Sequence, residues 1–255
     1  MNRIIKIILQ DILKNKIVLG YTLILAILSW SSFALEDNSA KGLLTILNVI
    51  LFTVPLVSIL FSTIYLYNSS EFIELLLSQP VKRQKIWLSL FIGLSSSMVF
   101  SFLLGAGIPL LVNSPDSVGF MMIVVGCLVS VVFVALAFLS SILTRDKAKG
   151  IGIAIMTWLY FALLFDGIVL FLLFQLADYP IETAMVGITG LSPIDLARIQ
   201  ILLHLDVSAM MGYTGAIFKD FFGTTTGLMV SFLLLTLWAI IPFFISLKKF
   251  NRKDL

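Results

Sequence analysis

Six runs of apolar residues set the limits on what this chain can become: Ile17 to Leu35, Leu43 to Tyr67, Ile86 to Val112, Val118 to Leu143, Ile151 to Leu176 and Leu228 to Leu247. A helix needs roughly 20 residues, at about 1.5 Å of rise each, to cross a hydrocarbon core about 30 Å thick. Each run is that long. Backbone polar groups in lipid must find partners within the protein, so uninterrupted runs of this kind fold as helices. With 60% hydrophobic and only 12% charged residues, a water-soluble globular domain is excluded. The expected fold class is an all-α polytopic membrane protein of six transmembrane helices, with residues 1–255 forming one transmembrane domain.

Basic residues orient the spans. Arg3, Lys6, Lys14 and Lys16 precede the first, Lys82, Arg83 and Lys85 follow the second, Arg145, Lys147 and Lys149 follow the fourth, and Lys248, Lys249, Arg252 and Lys253 follow the sixth. These are fourteen of the seventeen Lys and Arg; Lys41, Arg198 and Lys219 fall on the other side. The positive-inside rule therefore predicts that both termini are cytoplasmic. The first run is too long for the apolar core of a signal peptide, and five further runs follow it. The single cysteine, Cys127, lies within a span, which excludes a disulfide framework and a thiolate metal cluster. The net charge of +3 fits basic loops against anionic lipid, not nucleic acid.

Ahead of the first span, Arg3, Lys6, Gln10 and Lys14 recur at helical spacing, while Ile4, Ile5, Ile7, Ile8, Leu9, Ile12 and Leu13 fill the other side. That pattern predicts an amphipathic elbow helix over residues 1–16 in the cytoplasmic interface; a basic flank that only orients the first span is the plainer reading. No repeat relates the first three spans to the last three. The sequence has no phosphate-cradling glycine loop, no zinc-protease motif and no nucleophile elbow, and His204 is its only histidine. No enzyme activity is expected. The longest cytoplasmic connection, residues 68–85, is far too short for an ATPase domain, so any ATP and magnesium must sit on another chain, and no cofactor is expected on this one.

That connection reads Ser69-Ser70-Glu71-Phe72-Ile73-Glu74-Leu75-Leu76-Leu77-Ser78-Gln79-Pro80-Val81-Lys82-Arg83. Its serines can cap a short helix, Glu71 and Glu74 favour the positive end of the helix dipole, and Pro80 is expected to stop it. Leu75 and Leu76 are expected to be available to a partner. The segment resembles the coupling motif E-x-x-E-x-L-L-x-x-P-x-x-R of ABC-2 type permeases, the membrane subunits of type V ABC exporters. The resemblance implies that Glu71, Glu74, Leu75, Leu76, Pro80 and Arg83 couple the spans to a separate cytoplasmic ATPase subunit. Phe72 stands where many members carry glycine.

Between the fifth and sixth spans runs an exterior segment of 51 residues, Ala177 to Gly227. Connections of that length usually carry function or structure of their own. Ser192-Pro193-Ile194-Asp195 is a helix-start signal, and the stretch from Ile194 to Met211 should form a helix lying on or dipping into the outer interface. The string Leu191-Ser192-Pro193-Ile194-Asp195-Leu196-Ala197-Arg198, continuing through Leu205 to Ala216 and Phe221-Phe222-Gly223, is similar to the NosY-type permeases of the nitrous-oxide reductase maturation system. This resemblance implies a homodimer, two copies of a NosF-type ATPase, a periplasmic β-helical partner of NosD type, and a part in building the copper–sulfide site of nitrous-oxide reductase, a denitrification enzyme, with copper brought by a periplasmic chaperone. Tyr213, Phe218, Phe221 and Phe222 are candidate anchors for the periplasmic partner, or else an aromatic belt for their own span.

Three smaller expectations complete the reading. Met210, Met211 and His204 suggest Cu(I), but adjacent methionines diverge by about 100° on a helix, so no metal site is expected. Asp166, inside the fifth span, should face the bundle, a dimer interface or water, either as a pivot or pathway residue or as a protonated acid satisfied by a serine or backbone group. Gly93, Ser95, Ser96, Ser97, Gly105 and Gly107 mark the third span for close helix packing, with Gly126 and Ser130 doing so in the fourth, and Pro55 is expected to kink the second. The implied function is a permease subunit driven by a separate motor. A generic ABC-2 exporter of a lipid or small molecule, a motor-independent channel or secondary transporter, and a passive membrane scaffold are the alternatives.

Overall fold

The computed structural model describes residues 2–36, 39–175, 187–205 and 225–252, and every regular element among them is helical. In chain order these are α1 (Asn2–Leu13), α2 (Lys16–Leu35), α3 (Ser39–Asn68), α4 (Ser70–Leu77), α5 (Arg83–Phe102), α6 (Ile108–Asn113), α7 (Ser117–Leu143), α8 (Lys147–Leu159), α9 (Phe165–Gln175), α10 (Pro193–His204) and α11 (Thr225–Arg252). Six stretches are long and apolar enough to cross a membrane: Lys16–Leu35, Lys41–Asn68, Arg83–Asn113, Ser117–Leu143, Lys147–Leu172 and Thr226–Arg252. The sequence expectation holds, with the largest outward shifts at the start of the fifth span and the end of the sixth. Asp146 accepts hydrogen bonds from the Ala148 and Lys149 amides and so starts the fifth span ahead of Ile151. At the other extreme Lys249 and Arg252 in the last turn of α11 favour the negative end of its dipole and carry the helix past Leu247.

The α7 helix is the mast of the bundle. It packs against α3, α5, α8, α10 and α11, and Val125, Val129, Val132, Phe133, Ala137 and Phe138 along it are completely buried. Its two halves serve two clusters. Nearer its start, Met121, Met122, Val125 and Val129 pack with Leu25, Leu47, Ile50 and Val54. Nearer its end, Val134, Phe138 and Ile142 pack with Ile12, Ile73, Leu76, Trp87, Phe243 and Phe250. Lipid is as apolar as these side chains, so shape fit and not water exclusion holds the helices together.

Small residues make that fit possible. A methyl group on Gly93 would meet Ile8 Cγ2 at 2.6 Å, and one on Gly105 would lie 2.8 Å from Leu25 Cβ. At Gly126 the space is filled by the Phe102 ring. Of the serines expected to assist, Ser97 bonds the Gly93 carbonyl and Ser130 that of Gly126, each on its own helix. The elbow is seated on protein: Ile8 and Ile12 of α1 are buried against α5, while Ile7 on its other side stays 57% exposed.

Two spans widen into a π turn, Leu103–Gly107 between α5 and α6 and Tyr160–Leu164 between α8 and α9. The first lies just ahead of Pro109, whose ring would press on the preceding turn of a regular helix. Pro55 sits inside α3, where it removes the donor for the Leu51 carbonyl. The neighbouring Phe52 carbonyl accepts from Trp158 Nε1 at 3.3 Å, which ties the second span to the fifth.

Candidate functional site

With six alternating spans, α4 lies at the end of the bundle that carries both termini and α10 lies at the opposite end. Each holds polar groups that the spans do not need for packing.

At the basic end, α3 turns directly into α4: the Ser69 amide bonds the Tyr65 carbonyl at 2.9 Å, and the Ile73 amide bonds that of Ser69 at 2.9 Å. Contrary to expectation, no serine side chain caps the helix. It also ends sooner than Pro80. Its last residue is Leu77; the Ser78 amide closes on the Glu74 carbonyl at 3.1 Å and the Gln79 amide on that of Leu76 at 3.3 Å. Pro80 lies exposed in the link to α5, whose first residue is the exposed Arg83.

The two leucines of the motif part company. Leu76 is 7% exposed and packs inward with Ile73, whereas Leu75 is 65% exposed and shares the outer face with Glu71, Glu74 and Ser78. Positions three and four apart share one side of a helix, so this outer face is contiguous. Beneath α4 is an aromatic nest. Trp87 stacks on Phe250 with ring centroids 4.2 Å apart, meets Phe138 edge-on at 4.8 Å, and donates to Ser246 Oγ at 3.0 Å. A cleft of about 370 Å³ opens between them, lined among others by Ser70, Glu74, Trp87, Thr144 and Arg145.

Tyr67, which sequence reasoning passed over, locks this end. Its hydroxyl lies 3.3 Å from the Ser141 carbonyl, 3.2 Å from that of Thr144 and 3.0 Å from Thr144 Oγ1. Its ring fills the place a side chain on Gly150 would take. The start of the fifth span is thus fitted around the end of the second. A polar aromatic at a span terminus followed by a glycine in a later loop was the only signal, and it is a weak one.

At the opposite end, α10 begins as its sequence predicts: Ser192 Oγ accepts from the Asp195 amide at 3.2 Å, with Pro193 in the first turn. It does not lie on the surface. Ile194, Ala197 and Ile201 join the cluster around α7, and Leu196 and Ile199 meet Leu235 of α11. The described helix runs to His204, and most of the remaining stretch expected to reach Met211 lies outside the described residues. Gln200 Nε2 donates to Ser231 Oγ at 2.6 Å, and Trp238 Nε1 donates to the Gly190 carbonyl at 3.1 Å, so the sixth span grips the helix twice.

The fifth span grips it once, through charge. Arg198 Nη1 lies 2.8 Å from Asp166 Oδ2 and 3.2 Å from Asp195 Oδ1. The partner of Asp166 is thus not a serine or a backbone group but an arginine from the segment beyond the span. A neighbouring cavity of about 400 Å³ is bounded by Asn48, Phe52, Ala162, Ile194 and Arg198. His204 closes α10, half-buried, and no group of three metal-ligating side chains occurs among the described residues. Tyr213, Phe218, Phe221, Phe222, Met210 and Met211 lie outside the described residues.

A helical bundle of six membrane-capable spans with a short helix at the basic end is the organisation of a multi-pass membrane protein. Residues 31–255 match the model of the ABC-2 family transporter protein, and the chain belongs to that family. No curated protein matches it. Membership makes it a multi-pass membrane component of a transporter that works with an ATPase partner.

Proposed function

We propose that this chain is the permease subunit of an ABC transporter needed to mature nitrous-oxide reductase. One observation carries the reading: the string from Leu191 to Ala216, similar to NosY-type permeases, spans the cap and body of α10. In this reading two copies of the chain pair in the inner membrane with both termini cytoplasmic. A NosF-type ATPase grips the outer face of α4 through Glu71, Glu74, Leu75, Pro80 and Arg83, with Leu76 anchoring the helix from behind. Closure of that motor pushes α4 against the aromatic nest of Trp87, Phe138 and Phe250, and α7 links the nest to α10. A NosD-type β-helical partner docks outside, with Tyr213, Phe218, Phe221 and Phe222 as its anchors.

The test is to delete the chain cleanly from a denitrifying host and record the copper spectrum of its purified nitrous-oxide reductase. The expected enzyme keeps its binuclear electron-entry site and lacks the copper–sulfide site. An enzyme with both sites intact overturns the maturation role and leaves a generic ABC-2 exporter. Restoration by a variant whose partner cannot hydrolyse ATP would instead favour a passive scaffold.

A further inference from the structure

Arg198 stands between two carboxylates, and that arithmetic does not balance. One guanidinium against Asp166 and Asp195 leaves an uncompensated negative charge in a setting where the Asp195 side chain is only 12% exposed. The second oxygen of Asp195, Oδ2, is buried with no donor to receive a hydrogen bond from. Both defects have the same remedy. A proton on Asp195 neutralises the cluster and turns the orphan acceptor into a donor toward Asp166, which can then accept from Asp195 and Arg198 together.

We propose that Asp195 carries a proton shared with Asp166 beside Arg198, and that this neutral triad is a proton-dependent clasp holding α10 to the fifth span. The clasp does not depend on what the transporter moves. Protonation follows from the surroundings: the Asp195 carboxyl is pushed up to about 7, first by burial and then by the hydrogen bond and charge of Asp166, against the opposing pull of Arg198 and the Ser192 hydroxyl. A carboxyl whose pKa is higher in the clasped than in the released state binds its proton more tightly when clasped. The clasp is therefore at full strength below the released value of about 4, and weakens as pH rises through about 7. Asp166, with its side chain 36% exposed, leaves the proton a route to water at that end of the molecule.

Few other groups can mimic this behaviour. The facing stretches of α3 from Leu43 to Val54 and of α11 from Thr226 to Ala239 carry no ionisable side chain. On α7 the facing half holds only Cys127, and the π turn of the fifth span adds Tyr160. The α9 helix contributes Asp166, and α10 itself adds His204 in its last turn.

The experiment is hydrogen exchange on the full-length chain in lipid nanodiscs at pH 6 and pH 8, with amide rates corrected for their intrinsic pH dependence. Protection of residues 193–204 should be about tenfold higher at pH 6, the ratio expected when a group titrating near 7 is released to about 4. Asp195→Asn should remove that difference, and so should Asp166→Asn, which gives a second arm if one variant fails to insert. His204→Gln should keep it. Equal protection of the wild type at both values, a difference that survives Asp195→Asn, or one that vanishes in His204→Gln would each overturn the clasp. So would a loss of protection at pH 8 that extends equally to α7.

Discussion

The two short helices outside the main spans, α4 and α10, solve opposite problems. Both begin after a serine and carry an acid in the first turn, yet Ser192 caps its helix and Ser69 does not. The α4 helix buries Ile73 and Leu76 and turns its remaining face to water, whereas α10 buries every residue from Pro193 to Ala197 and three of the next four. One is a handle laid on the bundle. The other is a wedge driven into it, held by apolar contact on two sides and by hydrogen bonds and charge on the rest. A motor can load a handle without repacking anything, but a wedge can move only if the spans around it move as well.

Charging the two helices should give the sharpest contrast. Ala197→Arg would drive an unpaired cation into the contact with α7 at a cost of several kcal/mol, so little monodisperse protein should survive size-exclusion chromatography. Leu75→Arg should leave that profile and the melting temperature unchanged while abolishing co-purification of the ATPase. Equal damage from both would erase the distinction. Next in size, Arg198→Gln strips the guanidinium from two carboxylates and should cost about 2–3 kcal/mol, reduced from the fully buried case by partial exposure. A double-mutant cycle with Asp166→Asn on the melting temperature would isolate the link between α10 and the fifth span. Gln200→Leu removes the donor to Ser231 Oγ, which keeps only its bond to the Leu228 carbonyl, and should cost about 1 kcal/mol, read in the same way. The smallest effects come from the two serines: Ser192→Ala should lower stability by about 1 kcal/mol, and Ser69→Ala by no more than a few tenths.

What the sequence made legible follows from how far each signal reaches. A span is a local property of some twenty residues, and all six were readable because lipid tolerates nothing else at that length. The start of α10 was readable for the same reason, since Ser192 and Pro193 act within one turn. The inward turn of Leu76 was also there to be seen: Phe72, Ile73, Leu76 and Leu77 form one stripe, and Glu71, Glu74, Leu75 and Ser78 form the other. Treating the adjacent leucines as a pair hid it, although neighbours on a helix point about 100° apart. The union of Asp166 with Arg198 was not legible, because 32 residues separate them and only packing of α10 between the spans joins them. The π turns at Leu103–Gly107 and Tyr160–Leu164 likewise have no local code, although Pro109 hints at the first.

The exposed side chain of Leu75 has a consequence for the life of the subunit before assembly. A leucine 65% exposed on a helix outside the spans stays wetted for as long as the chain is alone. Covering it returns roughly 1–2 kcal/mol, so each newly inserted subunit displays an apolar flag until its motor arrives. Such a flag invites the proteases and chaperones that survey exposed apolar surface, and surplus permease should be cleared when the ATPase is scarce. If the motor grips Leu75 as proposed, that side chain would also keep count of the subunits.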